Sequence, residues 1–229
     1  MPDPALHSLL GNAMDGRGCP LCSVLDSMVF NELCRLQRHA VVDPETHADV
    51  VARGGYCADH FWYLDALASP VTNAELLAPL MDRLAGRIGA VAAELAMNPS
   101  LLRQDASTIA ARLGVPTACR VCESMTVWQT AAIDALLSSI TEPPGSDRYA
   151  RSGGLCLPHL AQALTTCKDR ALAELLLHAA VDHSRRLAGD LRTYVRKWKE
   201  KDRGWGPEDA APRCSIEKLV GAKRQRSSD

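Results

Sequence analysis

After Cys19, apolar side chains fall at Leu21, Val24, Leu25, Met28, Val29, Leu33 and Leu36. That three-to-four-residue spacing is the stripe of a helix with one buried face. A counterpart starts near Val121. Pro20 suits a first turn, where the N–H it lacks would have no partner inside the helix. Asp43-Pro44 and Pro143-Pro144 break the pattern at matching places, and a Gly-Gly pair then leads into a second helix expected from Cys57 or Cys156. Long helices follow, Thr72 to Met97 and Asp169 to about Arg203. Asn98-Pro99-Ser100 opens a short joining helix over residues 100–113, ending at Gly114-Val115-Pro116. No stretch alternates as a half-buried strand does, so the expected class is all-α.

The same pattern occurs twice. Cys19-Pro20-Leu21-Cys22 recurs as Cys119-Arg120-Val121-Cys122, offset by 100. Gly54-Gly55-Tyr56-Cys57-Ala58-Asp59-His60 recurs as Gly153-Gly154-Leu155-Cys156-Leu157-Pro158-His159, and Glu75-Leu76-Leu77 as Glu174-Leu175-Leu176, both offset by 99. Three blocks in one order and register read as an internal duplication. The expected organisation is two homologous helical halves in a pseudo-twofold arrangement, residues 12–112 and 113–203, and a basic tail, 204–229. That tail, dense in Gly and Pro at Gly204-Trp205-Gly206-Pro207 and carrying a short amphipathic piece from Ile216 to Val220, is expected to be mobile or partner-dependent.

Composition narrows the class. The 229 residues are 47% hydrophobic and 23% charged, enough to bury one large core or two small ones. Apolar runs are too short to span a bilayer, so no membrane role is expected. The first eighteen residues lack a basic segment followed by an apolar one, so the expected location is the cytoplasm. There, clustered thiols more often bind metal than form disulfides, and the chain has nine cysteines. The net charge of −1 hides an asymmetry: residues 185–229 hold 13 Lys and Arg against 7 Asp and Glu.

Each half offers C-x-x-C, about 34 residues, then C-x-x-H. A two-residue spacer lets both members of a pair reach one ion, and two pairs supply four tetrahedral ligands. Helix N-termini add positive dipole, which favours thiolate. The expected ligand sets lie within the halves: Cys19, Cys22, Cys57 and His60, then Cys119, Cys122, Cys156 and His159. Two zinc ions are the first reading. Iron–sulfur clusters with histidine replacing one cysteine are the alternative, with a redox or sulfur-handling role. Cys34 and Cys167 read as packing residues and Cys214 as a free thiol. His39, His47, His178 and His183 receive no function.

From Arg185 to Arg203 there are eight Lys and Arg with Tyr194 and Trp198 among them. Leu187, Leu191, Tyr194, Val195 and Trp198 share a helical stripe, which reads as core packing with a solvated basic face. Docking of nucleic acid or protein through residues 185–229 is the alternative. No Gly-rich phosphate loop, G-x-S-x-G or H-E-x-x-H motif is present, so no catalytic residues are assigned and enzymatic activity stays open. Asp59 and Glu123 lie beside candidate ligands and could orient them.

At the four motif stretches quoted above, the chain resembles an uncharacterised prokaryotic family of unknown function. Its members carry C-P-x-C, a later G-x-C-x-x-H and a second copy of both. The resemblance spans about residues 12–200 and implies no activity. The resulting expectation is a metal-binding protein, with structural zinc in a cytoplasmic binding or scaffold protein whose partner is another, unidentified protein.

Overall fold

A computed structural model describes residues 4–98, 107, 119–200 and 204–222. Among these residues the chain is helical and has no strand. The helices are α1 (Pro4–Met14), α2 (Pro20–Val42), α3 (Pro44–Ala52), α4 (Ala58–Leu67), α5 (Pro70–Met97), α6 (Arg120–Ser139), α7 (Gly145–Arg151), α8 (Leu157–Thr166), α9 (Arg170–Glu200) and α10 (Ala211–Val220). A single 3₁₀ turn, Pro207–Ala210, precedes α10. The joining helix expected over residues 100–113 lies outside the described residues, apart from residue 107.

Prolines start helices here more often than they stop them. Pro20, Pro44 and Pro70 each occupy the first position of a helix. At Asp43-Pro44 the break is therefore also a beginning, because the Asp43 carboxylate accepts the Glu45 N–H at 3.1 Å and caps α3. Ser69 caps α5 in the same way, accepting the Thr72 N–H at 3.2 Å. Pro79 is the exception, placed inside α5. It has no N–H for the Glu75 carbonyl one turn earlier. His47 Nε2, on α3, lies 3.3 Å from that oxygen and donates to it, which joins α3 to α5 at the interrupted turn.

The chain forms two compact units with limits other than those of the repeats: residues 4–28 and 125–222 in the first, and 29–124 in the second. In the first unit Leu10, Leu21, Leu136, Ile140, Leu155 and Leu176 are buried in one cluster. In the second, Leu33, Leu36, Val50, Tyr63 and Leu76 are buried, and Tyr56 meets Phe61 edge-to-face with ring centres 5.5 Å apart. The residues of α2 and of α6 are shared out between the units, their first turns going to one and the remainder to the other.

The C-terminal segment is not a loose tail over the described residues. Ala211, at the start of α10, is 1% exposed, and α10 packs on α8 and α9. Five residues from Ile216 suggested too short a helix to stand alone, but packing on neighbouring helices stabilises it. The last turns of α9 depart from expectation in the opposite direction. Leu187 is buried, but Val195 is exposed and Trp198 is 77% exposed, so the apolar stripe outruns the core.

The duplicated Gly-Gly pair is required by close approach. Gly55 has φ +93°, and a Cβ there would enter the Phe61 ring. A Cβ on Gly153 would run into the backbone carbonyls of Arg17 and Gly18. Gly55→Ala and Gly153→Ala should each lower the unfolding temperature. Gly89→Ala, in an exposed stretch of α5 with no neighbour to meet, should raise stability by about 0.5–1 kcal/mol. Urea unfolding of the three variants checks the opposite signs.

Candidate metal centres

Cys57 and Cys156 stand immediately before α4 and α8 with nearly the same backbone angles, φ −67° and ψ 166° against φ −66° and ψ 160°. Each carbonyl accepts the N–H four residues on, which begins the helix and places the histidine in its first turn. The imidazole then reaches back: Sγ to Nδ1 is 3.1 Å for Cys57 and His60, and 3.2 Å for Cys156 and His159. Cys19 and Cys119 likewise precede α2 and α6, whose first turns carry Cys22 and Cys122.

All eight expected residues gather into two groups of four, but the partners are exchanged. Cys19 and Cys22 meet Cys156 and His159, while Cys119 and Cys122 meet Cys57 and His60. Within each group the ligand atoms all lie within 4.8 Å of one another. In the first unit, Cys19 and Cys22 Sγ are each 3.4 Å from His159 Nδ1, and Cys22 is 3.7 Å from Cys156. In the second, Cys119 and Cys122 are 3.4 and 3.5 Å from His60 Nδ1, and Cys57 is 3.6 Å from Cys122.

The within-half pairing fails because α2 runs unbroken for 23 residues. At 1.5 Å per residue its ends are about 35 Å apart. Its start therefore lies in one unit, and its far half, with α3 and α4, in the other. The first turn of each leading helix brings its C-x-x-C to a C-x-x-H other than the one that follows it in the chain. Spacing along the chain specified the donors but carried no signal of this exchange.

Crowding perturbs the thiols. Burial, with protons shared with Cys156 and Cys22, pushes the Cys19 thiol well above its usual range. Hydrogen bonds from Cys19, Cys22 and His159 instead hold Cys156 far below it. Burial opposes the His159 cation, yet the sulfurs of Cys156 and Cys22 prevail and raise it to about 9. At the second centre burial also resists ionisation of Cys119, but the hydrogen bond from His60 brings it down to about 6. Burial and the adjacent Cys57 push Cys122 up to about 12. Each cluster thus prefers to hold negative charge on one sulfur and protons on others.

The surroundings differ between centres. Around the second, Arg53 bonds Asp49 at 3.0 Å and Glu123 at 2.9 Å, and Arg120 reaches Asp49 at 3.1 Å. These ion pairs tie the end of α3 to the first turn of α6, which accounts for Glu123. Beside the first centre lies the C-terminal segment, which carries contacts that sequence reading missed. Lys218 Nζ donates to the Leu155 carbonyl at 2.6 Å, and the Ala222 N–H points at Cys22 Sγ at 3.5 Å. Gly221, with φ +86°, lets the chain pass this close to the sulfurs. A glycine directly after the apolar run Ile216–Val220 was the available signal. Cys167 ends α8 and packs against the core, its Sγ donating to the Asp169 carbonyl at 3.2 Å. Cys34 is half-buried on α2.

Residues 10–226 match a family of unknown function, DUF6062. The chain belongs to that family. The DUF6062 match extends over α10, so the C-terminal segment is part of the family's domain and not an appendage beyond it. No curated protein and no solved structure matches the chain.

Mild diamide oxidation of the reduced protein in chelator should join Cys22 to Cys156 and Cys57 to Cys122. Peptide mapping that finds Cys22 joined to Cys57 would contradict the exchanged pairing.

Proposed function

We propose that the protein is a helical scaffold stabilised by two structural zinc ions, built from two related repeats, that acts by binding another protein. The separations within each group carry the reading. A tetrahedral ion with bonds of about 2.3 Å to sulfur and 2.0–2.1 Å to nitrogen sets sulfurs roughly 3.8 Å apart and sulfur and nitrogen roughly 3.5 Å apart. The sulfur pairs are at 3.6 and 3.7 Å, and the sulfur–nitrogen pairs at 3.1–3.5 Å. An iron–sulfur cluster would spread its ligands around several irons and sulfides. Three thiolates and one imidazole close the coordination shell, leaving no position for substrate, so zinc bound here holds helices together. Six of the nine cysteines gathered as prospective metal ligands suit a reducing compartment such as the cytoplasm; among the described residues no helix is long and apolar enough to cross a membrane.

A second reading is favoured by the exposed end of α9. Trp198 is 77% exposed and Trp205 93% exposed, with Arg192, Arg196 and Lys199 interspersed. Aromatic rings beside cations suit stacking on single-stranded nucleic acid. Salt-sensitive binding lost in Trp198→Ala would support it, and no binding at low salt would remove it.

Protein purified without oxygen should carry two zinc per chain, no acid-labile sulfide and no visible absorption; iron with sulfide would overturn the zinc reading. Cys19→Ser and Cys156→Ser should each lose one equivalent, and their combination still only one, whereas Cys19→Ser with Cys57→Ser should lose two. Metal must also displace the protons of Cys19 and His159, both held above neutrality. Apparent zinc affinity at the first centre should therefore rise at least about 100-fold per pH unit between pH 6 and 8, as read by chelator competition.

A further inference from the structure

We propose that a cleft in the first unit binds a small phosphate-bearing molecule. The cleft, about 310 Å³ in volume, is lined by Arg17, Arg151, Arg186, His183 and Asp190, with buried Leu187 and Ala211 among its apolar walls. That volume lies at the lower end of ligand-sized cavities. Its carboxylates do not balance its guanidiniums. Asp15, at the rim, is held by Arg148, whose Nε is 2.7 Å from its Oδ1. Arg185 pairs with Asp182, but Arg17, Arg151 and Arg186 make no ion pair among the described residues. Counting Arg148 and Asp190, the site keeps a formal surplus of two positive charges. Lys218 and Glu217 both line the adjoining space, which also touches Arg17, His183 and Cys156, so that space leaves the surplus at two.

The internal repeat separates what the scaffold needs from what this cleft adds. At the offsets that align the motifs, Arg17 corresponds to Thr117, Arg151 to Ala52 and Arg186 to Arg87. Two of the three arginines are thus absent where the same motifs recur. Cation potential is already felt inside the cleft: burial and then Lys218 and Arg186 bring His183 down to about 4, leaving it a neutral hydrogen-bonding group at pH 7. Apolar walls strengthen such a field. A single carboxylate would leave the surplus charge uncompensated. A phosphomonoester dianion matches it, and guanidinium forks bond phosphate oxygens two at a time.

The test is isothermal titration of the metal-loaded chain, as isolated, with phenyl phosphate, inorganic phosphate, benzoate and a single-stranded oligonucleotide. Phenyl phosphate is expected to bind once per chain and to weaken about tenfold or more when Arg151→Gln and Arg186→Gln are combined. Arg17→Gln alone should weaken it less, and Arg170→Gln, an exposed arginine paired with Glu174, should leave it unchanged. Metal content and unfolding temperature equal to the parent protein's verify that the variants are folded; if the double variant loses either, Arg17→Gln decides. The proposal is overturned by no saturable phosphate binding up to about 10 mM, by benzoate binding as tightly, or by phosphate binding that survives the arginine changes. Binding of the oligonucleotide alone, lost in Trp198→Ala, would also overturn it and assign the anion affinity to the end of α9.

Discussion

Three sulfurs and a ring nitrogen confined within 4.8 Å cannot all carry their preferred charge. As thiolates the sulfurs repel, and as thiols they compete with the imidazole for protons, which favours the anion on Cys156 and the proton on Cys19. A cation at the centre of the group removes both difficulties at once. The rest of the fold is arranged to bring these donors together. A Gly-Gly turn brings the chain in, a helix start sets cysteine and histidine one turn apart, and a second helix start supplies the remaining pair.

Because the pairs are exchanged, neither the stretch 19–60 nor the stretch 119–159 holds a full group of four donors. The contacts between donors span 134 to 140 residues in the first unit and 59 to 65 in the second. Closing loops of this length is costly in chain entropy, so a bond that holds them shut contributes correspondingly to stability. The two centres are supported differently. In the second unit, Arg53, Asp49, Arg120 and Glu123 brace the helix start with ion pairs. In the first, the C-terminal segment does this with a lysine, a backbone N–H and a glycine.

Much of this was legible in the chain. Helical periodicity, the repeated motifs and the eight donors are local properties, and local spacing reports them faithfully. The pairing was not, since nothing in C-x-x-C says which C-x-x-H it will meet; that depends on how the residues of α2 are shared between the two units, which assigns Cys19 to one and Cys57 to the other. Helix α3 was hidden because Pro44 looks the same whether it ends one helix or begins the next. Trp198 was read as core from its place on a stripe, but a stripe longer than the body it packs on ends in solvent. The fate of α10 depended on neighbours far away in sequence, Leu155 and Cys22 among them.

The donors lie along the chain in nested order, with the pair from 57 to 122 enclosed by the pair from 19 to 159. During synthesis the inner group is complete once Cys122 has emerged, while Cys19 and Cys22, made before the other six donors, wait for His159. At typical rates of about 5–20 residues per second that interval is on the order of ten seconds. The earliest two of the eight donors therefore wait longest for their partners, and for that time they are the ones open to stray metal, to oxidants and to each other.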